Sequence, residues 1–311
     1  MSSENSPLIV VLGPTGAGKS ELGLALAASL DGEIVNFDSV QVFRGLDIGS
    51  AKLPKARRCG IPHHLLDVIG PDEELTAGAF ARLARPALAE ITARRRLPIL
   101  VGGTGLYLRA LLDGLSPAPG RDEELRRRLR SVGRRRPGAL HRFLRRRDPA
   151  AARQIHPRDL QKLIRAIELT VLGECPATET QKLPREALTG YTVLKIGLNP
   201  ERSSLHSRIN RRSSEMFAGG LLEETDALLA SGLRKDAKPL LSLGYRQAAA
   251  VLMGESSVED AIKACQTKTR QYAKRQMTWF RAERDVTWIE GFGNEDAVQV
   301  QARQLAAEFM S

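Results

Sequence analysis

The sequence predicts an α/β protein, a parallel sheet with helices on both faces, interrupted by a small helical insertion. Three observations predict it. Strand-type apolar runs recur along the chain with helical stretches between them, the alternation that builds parallel sheets. The octapeptide GPTGAGKS at 13–20 stands between a strand-type run and an apolar-periodic stretch, the context required of a phosphate-cradling loop. After Leu115 the strand pattern stops and arginine takes over, with 12 arginines between Arg121 and Arg147. The core is therefore expected to be P-loop NTPase-like and to comprise residues 1–115 and 190–311, with 116–189 as an arginine-rich helical insertion.

Taken in order, the first strand is predicted at Leu8–Leu12, a wholly apolar run of the kind buried on both faces of a sheet. Glu21 to Leu30 carries apolar residues at helical spacing. Glu33–Phe37 reads as a second strand and runs straight into Asp38. Ala77–Arg94 reads as a helix with Phe80, Leu83, Ala84, Ala87, Leu88 and Ile91 on one face. Leu97–Val101 is another strand, ending in Gly102-Gly103-Thr104. In the insertion, Leu125, Leu129 and Val132 fall at i, i+4 and i+7. Leu140, Phe143 and Leu144 form a second stripe after the Arg136-Pro137-Gly138 break. Thin apolar stripes beside wide basic faces predict small helices. Thr192–Leu198 resumes the sheet pattern, and Val286–Ile289 reads as a last strand.

Bulk properties narrow the function. The 311 residues are 42% hydrophobic, enough for a folded core. Lys and Arg total 47 against 36 acidic residues, a formal charge of +11. Such an excess favours a polyanionic partner, nucleic acid first. Cys59, Cys175 and Cys265 lie far apart with no C-x-x-C, which argues against a disulfide framework or a thiolate zinc site and suits a reducing cytoplasm. The N-terminal MSSENSPL is polar, so no signal peptide is expected. No apolar run reaches the ~18 residues of a membrane span. A cytoplasmic monomer is the expectation.

The loop defines the chemistry. Glycines Gly13, Gly16 and Gly18 let the backbone around Pro14, Thr15 and Ala17 curl, so that N–H groups converge on one anion. The helix that follows aims its positive end there. Lys19 supplies a point charge, and the Ser20 hydroxyl suits Mg²⁺. Asp38 follows an apolar strand, where α/β folds place ligand-binding groups, so it is a Mg²⁺ partner, a general base or a turn cap. A hydrolytic NTPase wants a second strand ending in a carboxylate. Here Leu97–Val101 ends in glycines and Thr104 instead, which suits close approach of a substrate or a helix N-cap.

Several linked motifs go further. They are GPTGAGKS, DSVQVFRGLDIGSAK at 38–52, GIPHHLLDV at 60–68 and LVGGTGLYLRALLDGL at 100–115. HPRDLQKLIRAIE at 156–168, LHSRINRRSSEMFAGGLLEE at 205–224, SLGYRQ at 242–247 and TRQYAKRQMTWFR at 269–281 follow. In order and spacing the chain resembles the tRNA dimethylallyltransferases over nearly its whole length. The resemblance implies that the loop holds the diphosphate of dimethylallyl diphosphate, with Mg²⁺ assisting its departure. The acceptor is then N6 of the adenosine beside the tRNA anticodon, with Asp38 as general base and Thr104 steering the base or the diphosphate. Arg208 and Arg212 match family arginines and share a helix face; at least Arg212 is expected to reach the diphosphate.

The resemblance also implies contacts to the tRNA anticodon stem-loop. One set is Asp38, Ser39, Val40 and Gln41, with Thr104 beyond. A second is Arg126 with Gln161, Lys162, Leu163, Ile164 and Arg165. Further contacts are implied at Leu241, Ser242, Leu243, Gly244, Tyr245 and Arg246. The last set is Lys274, Arg275, Gln276, Met277, Thr278, Trp279, Phe280 and Arg281, although Trp279 and Phe280 read more simply as core. The insertion is expected to clamp the tRNA and to shift between free and bound states.

Phe43 stands where the family usually has Tyr, which puts any role of that hydroxyl in doubt. His63 and His64 lack a third ligand at metal spacing, so packing or hydrogen bonding is expected of them. The rivals are a P-loop small-molecule kinase, a nucleic-acid-binding module without catalysis, and a prenyltransferase acting on free adenine nucleotides. The arginine-dense insertion favours a macromolecular acceptor over the last.

Overall fold

The structure is a computed structural model and describes residues 5–173, 175–180 and 182–311. In chain order come β1 (Ser6–Leu12), α1 (Lys19–Ser29), β2 (Gly32–Asn36), β3 (His63–His64), α2 (Ala77–Ala93), β4 (Leu97–Val101) and α3 (Gly105–Leu112). Then follow α4 (Glu123–Arg135), α5 (Ala139–Arg147), α6 (Pro149–Gln154), α7 (Leu160–Leu172) and α8 (Ala177–Thr180). The chain closes with β5 (Tyr191–Leu198), α9 (Arg202–Ala218), α10 (Leu221–Ala230), α11 (Tyr245–Leu252), α12 (Val258–Phe280), β6 (Val286–Ile289) and α13 (Asp296–Met310).

Contacts among the described residues divide the chain into two compact units. One runs to Leu112 and resumes at Leu188; the other is Asp113–Ala187. The first holds a six-stranded sheet of order β3-β2-β4-β1-β5-β6, every pairing parallel. The parallel sheet expected from the strand–helix alternation is thus present. β1 lies at its middle, with Val10 opposite Leu100 on one side and Lys195 on the other. Alternate residues of β1 feed opposite cores. Leu8, Val10 and Leu12 pack with Phe80, Leu88 and Ile91 of α2, while Ile9 and Val11 pack with Leu22 and Leu26 of α1 and Val298 and Ala302 of α13. In a parallel sheet the loops after β1, β2 and β4 all leave the same edge, and there the site forms.

Two features depart from the periodicity. In α2, Phe80, Ala84, Leu88 and Ile91 are buried as expected, but Leu83 is 44% exposed and Ala87 only half-buried. One side of the expected stripe therefore faces solvent, because the sheet covers a narrower arc of this helix than the sequence offers. The edge strand β3 was not expected from the sequence; with two residues it is too short for any pattern.

The unit Asp113–Ala187 contains helices and, among the described residues, no strand. Its core is Leu140, Leu144, Leu163, Ile164 and Ile167, with Leu129 packed against it. Val132 and Phe143, expected on the apolar stripes, are each 40% exposed. Buried Asp148 caps α6, accepting from Ala151 N at 2.9 Å, and its other oxygen accepts from Thr178 N at 2.9 Å. Hydrogen bonding holds its carboxyl below the usual range against the opposing effect of burial.

Candidate active site

The loop after β1 is completed from far along the chain. Gly18 sits at φ +85°, and a Cβ on it would lie 2.8 Å from the backbone N of Gly293. Only glycine fits both demands. Gly293 N donates to Ala17 O at 2.9 Å and so fixes the end of the loop. Gly18 offers α1 no side-chain cap, which leaves the first N–H groups of the helix for an anion.

Lys19 donates to Pro14 O at 2.8 Å. Burial lowers its pKa to about 8, partly offset by Asp38, and Arg212 lowers it further. Burial likewise lowers the pKa of the Arg212 guanidinium, with Glu21 and Asp38 opposing. Arg212 makes no hydrogen bond or ion pair among the described residues. Two desolvated cations side by side are unfavourable alone and favourable once an anion sits between them. Arg208, expected to share that work, lines the same cavity but already has partners. Its guanidinium contacts the Asn294 side chain, lies 4.9 Å from the Phe292 ring and stands 3.9 Å from Glu21.

Loop, helix and arginines line a cavity of about 430 Å³. Thr15, Gly16, Gly18, Lys19 and Ser20 form one wall, and Asn36, Asp38 and Gln41 form another. Ile34, Leu53, Pro54, Leu66 and Val101 give it an apolar part. Asp38 is fixed by its neighbours. Asn36 Oδ1 accepts from Asp38 N at 3.1 Å, and Asp38 Oδ1 accepts from Val40 N at 2.8 Å. Asp38 is therefore a turn cap, yet Oδ2 makes no hydrogen bond among the described residues and remains for a ligand. Thr104 has its hydroxyl engaged with Ser39, accepting from the backbone N at 3.0 Å and donating to Oγ at 3.2 Å. It thus orients the 38–41 segment. Gln41 Nε2 donates to Ser50 O at 3.1 Å, and its oxygen makes no hydrogen bond among the described residues.

Ser20 and Asp38 offer a hydroxyl and a carboxylate to one cavity. Among the described residues no three His, Cys, Asp or Glu side chains form a metal cage. Mg²⁺ is ordinarily held by one or two protein oxygens plus substrate phosphates and water, so this donor set fits it.

The remaining expected site residues separate by burial. On α12, Lys274, Arg275 and Thr278 are exposed, as is Arg281 just beyond its end, and Met277 is half-buried, while Phe280 is fully core. Trp279 is half-buried, with Arg109 stacked 4.5 Å over its ring. Gln276 is 5% exposed and ties Thr15 N to Gly103 O. Leu241 and Arg246 are exposed, and Ser242 and Leu243 half-buried. Gly244 is buried, and so is Tyr245, whose hydroxyl donates to Glu224 at 2.5 Å. In the unit Asp113–Ala187, Gln161 and Lys162 are exposed, but Leu163 and Ile164 are core. Arg165 donates to buried Glu168 at 2.6 Å, and the Arg126 side chain, 13% exposed, points at the same carboxylate from 3.9 Å. The side chains of Leu163, Ile164, Tyr245 and Phe280 are thus turned from solvent, whereas Gln276, though buried, lines the cavity that holds Asp38 and Lys19.

Other expectations are also resolved. Phe43 is core, 4% exposed, and does not line the cavity. His64 meets Glu33 at 2.6 Å and His63 meets Ile61 O at 2.8 Å, so each is hydrogen-bonded, though not to the other. Among the cavity residues that sequence reasoning missed, Asn36 and Tyr272 bear most on the site. Asn36, the polar end of an apolar strand, was legible in principle. Tyr272, one turn before Gln276 on α12, was hidden among the charged residues of its motif. Burial and the charge of Asp38 both raise its pKa, so its hydroxyl stays protonated.

The IPP transferase family model matches residues 41–283. A tRNA dimethylallyltransferase of Solibacter usitatus is 50% identical over 98% of this chain and 99% of its own length. The chain belongs to this family. A tRNA dimethylallyltransferase of Koribacter versatilis is 54% identical over 96% of this chain and 97% of its own. The crystal structure of a tRNA isopentenylpyrophosphate transferase from Bacillus halodurans superposes with a TM-score of 0.72 at 37% identity, over 97% of this chain and 96% of that one. A eukaryotic dimethylallyltransferase acting on tRNA gives 0.80 at 26% identity, over 98% and 79%. The family match takes in Asp38's neighbours from Gln41 onward, Thr104, Arg208 and Arg212 of α9 and the whole of α12.

Proposed function

We propose that this chain transfers a dimethylallyl group from dimethylallyl diphosphate to N6 of the adenosine next to the tRNA anticodon, position 37, releasing diphosphate. One observation carries the reading: two desolvated cations, Lys19 of the loop and Arg212 of α9, share a cavity with a carboxylate oxygen that makes no hydrogen bond among the described residues, Asp38 Oδ2. The anion site and the base thus face one space, with apolar side chains beside them for a five-carbon chain.

The N6 lone pair forms a bond to the allylic C1, and the C1–O bond breaks with its electrons leaving on diphosphate. Loop N–H groups, Lys19 and Arg212 meet that growing charge. Asp38 Oδ2 takes the N6 proton. Mg²⁺, held by Ser20 and the diphosphate, would supply further charge neutralisation. Thr104 and Asn36 keep the 38–41 segment in place. The adenosine must leave its stack to enter. Exposed basic residues, among them Lys162, Arg246, Lys274, Arg275 and Arg281, supply phosphate contacts. The enzyme acts as a cytoplasmic monomer; among the described residues no helix is long and apolar enough to cross a membrane.

The test is incubation with labelled dimethylallyl diphosphate and unmodified tRNA, followed by nucleoside analysis. Label in N6-dimethylallyladenosine at position 37 is the expected result. Label in free adenine nucleotides only, or nucleotide turnover without prenyl transfer, would overturn the proposal.

A further inference from the structure

Gln276 does not face solvent, and both ends of its amide are used. Oε1 accepts from Thr15 N at 2.8 Å, and Nε2 donates to Gly103 O at 2.8 Å. Its reach depends on a glycine, since a Cβ on Gly103 would lie 2.4 Å from Nε2. Each contact continues outward. The Pro14–Thr15 peptide gives its N–H to Gln276 and its oxygen to Lys19 Nζ at 2.8 Å. Gly103 leads to Thr104, whose N donates to Phe37 O at 3.3 Å and whose Oγ1 accepts from Ser39 N at 3.0 Å. One rigid amide therefore closes a continuous hydrogen-bonded chain from the ammonium at the anion loop to the segment carrying Asp38.

We infer that Gln276 is a positioning residue that couples the two halves of the site, so that a prenyl diphosphate on the loop and an adenosine at 38–41 organise each other. This rests on the donor and acceptor assignments proposed above. A diphosphate that draws Lys19 from Pro14 O reorients the peptide whose N–H meets Gln276. The amide passes that shift to Gly103 and so to Thr104 and Ser39. A primary amide suits the task because it accepts at one end and donates at the other, whereas a carboxylate only accepts. Buried chains of this kind also polarise one another.

The test measures binding of an unreactive sulfur analogue of dimethylallyl diphosphate with and without an unmodified anticodon stem-loop RNA. In the wild type each ligand should tighten the other by the same factor, roughly 5- to 150-fold. In Gln276→Ala that factor should fall to near one while each ligand alone binds within a few-fold of wild type. Gln276→Glu gives a signature that a packing role would not. Its carboxylate opposes Gly103 O, and protonation restores the donor, so its coupling should recover as pH falls while the wild-type factor does not follow. If Gln276→Ala fails to fold, the Glu variant decides alone. No coupling in the wild type, undiminished coupling in the Ala variant, or coupling in the Glu variant that is independent of pH overturns the inference. Failure of the underlying assignment looks different: Lys19→Ala would then leave binding of the analogue unchanged.

Discussion

Asp38 has two jobs on two oxygens, and a single substitution separates them. Asn keeps the oxygen that caps Val40 N and loses the capacity to take a proton at neutral pH. Asp38→Asn should therefore keep its fold and bind tRNA normally. Its single-turnover rate should drop roughly 10²- to 10⁴-fold, or about 3–5 kcal/mol of barrier. Near-wild-type turnover would leave Asp38 as a cap or a metal partner. Lys19 makes a second expectation at this scale. Its pKa of about 8 in the free enzyme means the ammonium is charged below that pH and neutral above it. Binding of the prenyl diphosphate analogue should then weaken as pH rises through 8, by up to about tenfold per unit. Lys19→Met should bind weakly and without that pH dependence. A wild-type profile flat across pH 8 would put the binding charge elsewhere.

Helices and strands were more legible than their neighbours in space. The limits of β4 coincide with the apolar run that predicted it, because a strand buried on both faces carries that signal without interruption, and those of β6 coincide too although it is a partly exposed edge strand. The loop residues 13–20, Asp38 and Thr104 were likewise visible as motifs. The role of Gln276 was not, since its partners Thr15 and Gly103 are distant in sequence and its own motif is charged. Nor could periodicity tell Leu83 from Leu88, which share a helix face but not a sheet contact. The difference is measurable. Leu88→Ala removes a fully buried side chain and should destabilise the protein by about 2–5 kcal/mol. Leu83→Ala should stay within about 0.5 kcal/mol of wild type. Equal losses in a denaturant titration would mean that α2 is covered on both sides.

For the whole molecule, charge is the governing property. With a net +11, tRNA affinity should fall steeply with salt, each phosphate contact adding about −0.7 to −0.9 to the log–log slope. Sequence alone put Arg126 foremost among the arginines of the insertion, but its side chain turns inward toward Glu168. Arg127 and Arg128 remain exposed, at 75% and 74%, and among the described residues are paired only with Glu124. Neutralising Arg127 and Arg128 together should flatten the slope by one to two such increments and leave binding of the prenyl diphosphate analogue intact. An unchanged slope would place the tRNA on another face.

The junction at Gly18 and Gly293 has a consequence for the birth of the protein on the ribosome. The anion loop lies near the start of translation, yet it is finished by Gly293, and its link to Gln276 spans 261 positions. At the ~5–20 residues per second of synthesis, the loop waits roughly 13–50 s for that glutamine. Throughout that interval a nascent chain carries the phosphate-binding motif in full but lacks the residues that hold it in shape. Competence to bind substrate therefore arrives late, and a chain stalled before Gly293, which closes the loop through Ala17 O, should not retain the prenyl diphosphate analogue, whereas the full-length Gln276→Ala variant does.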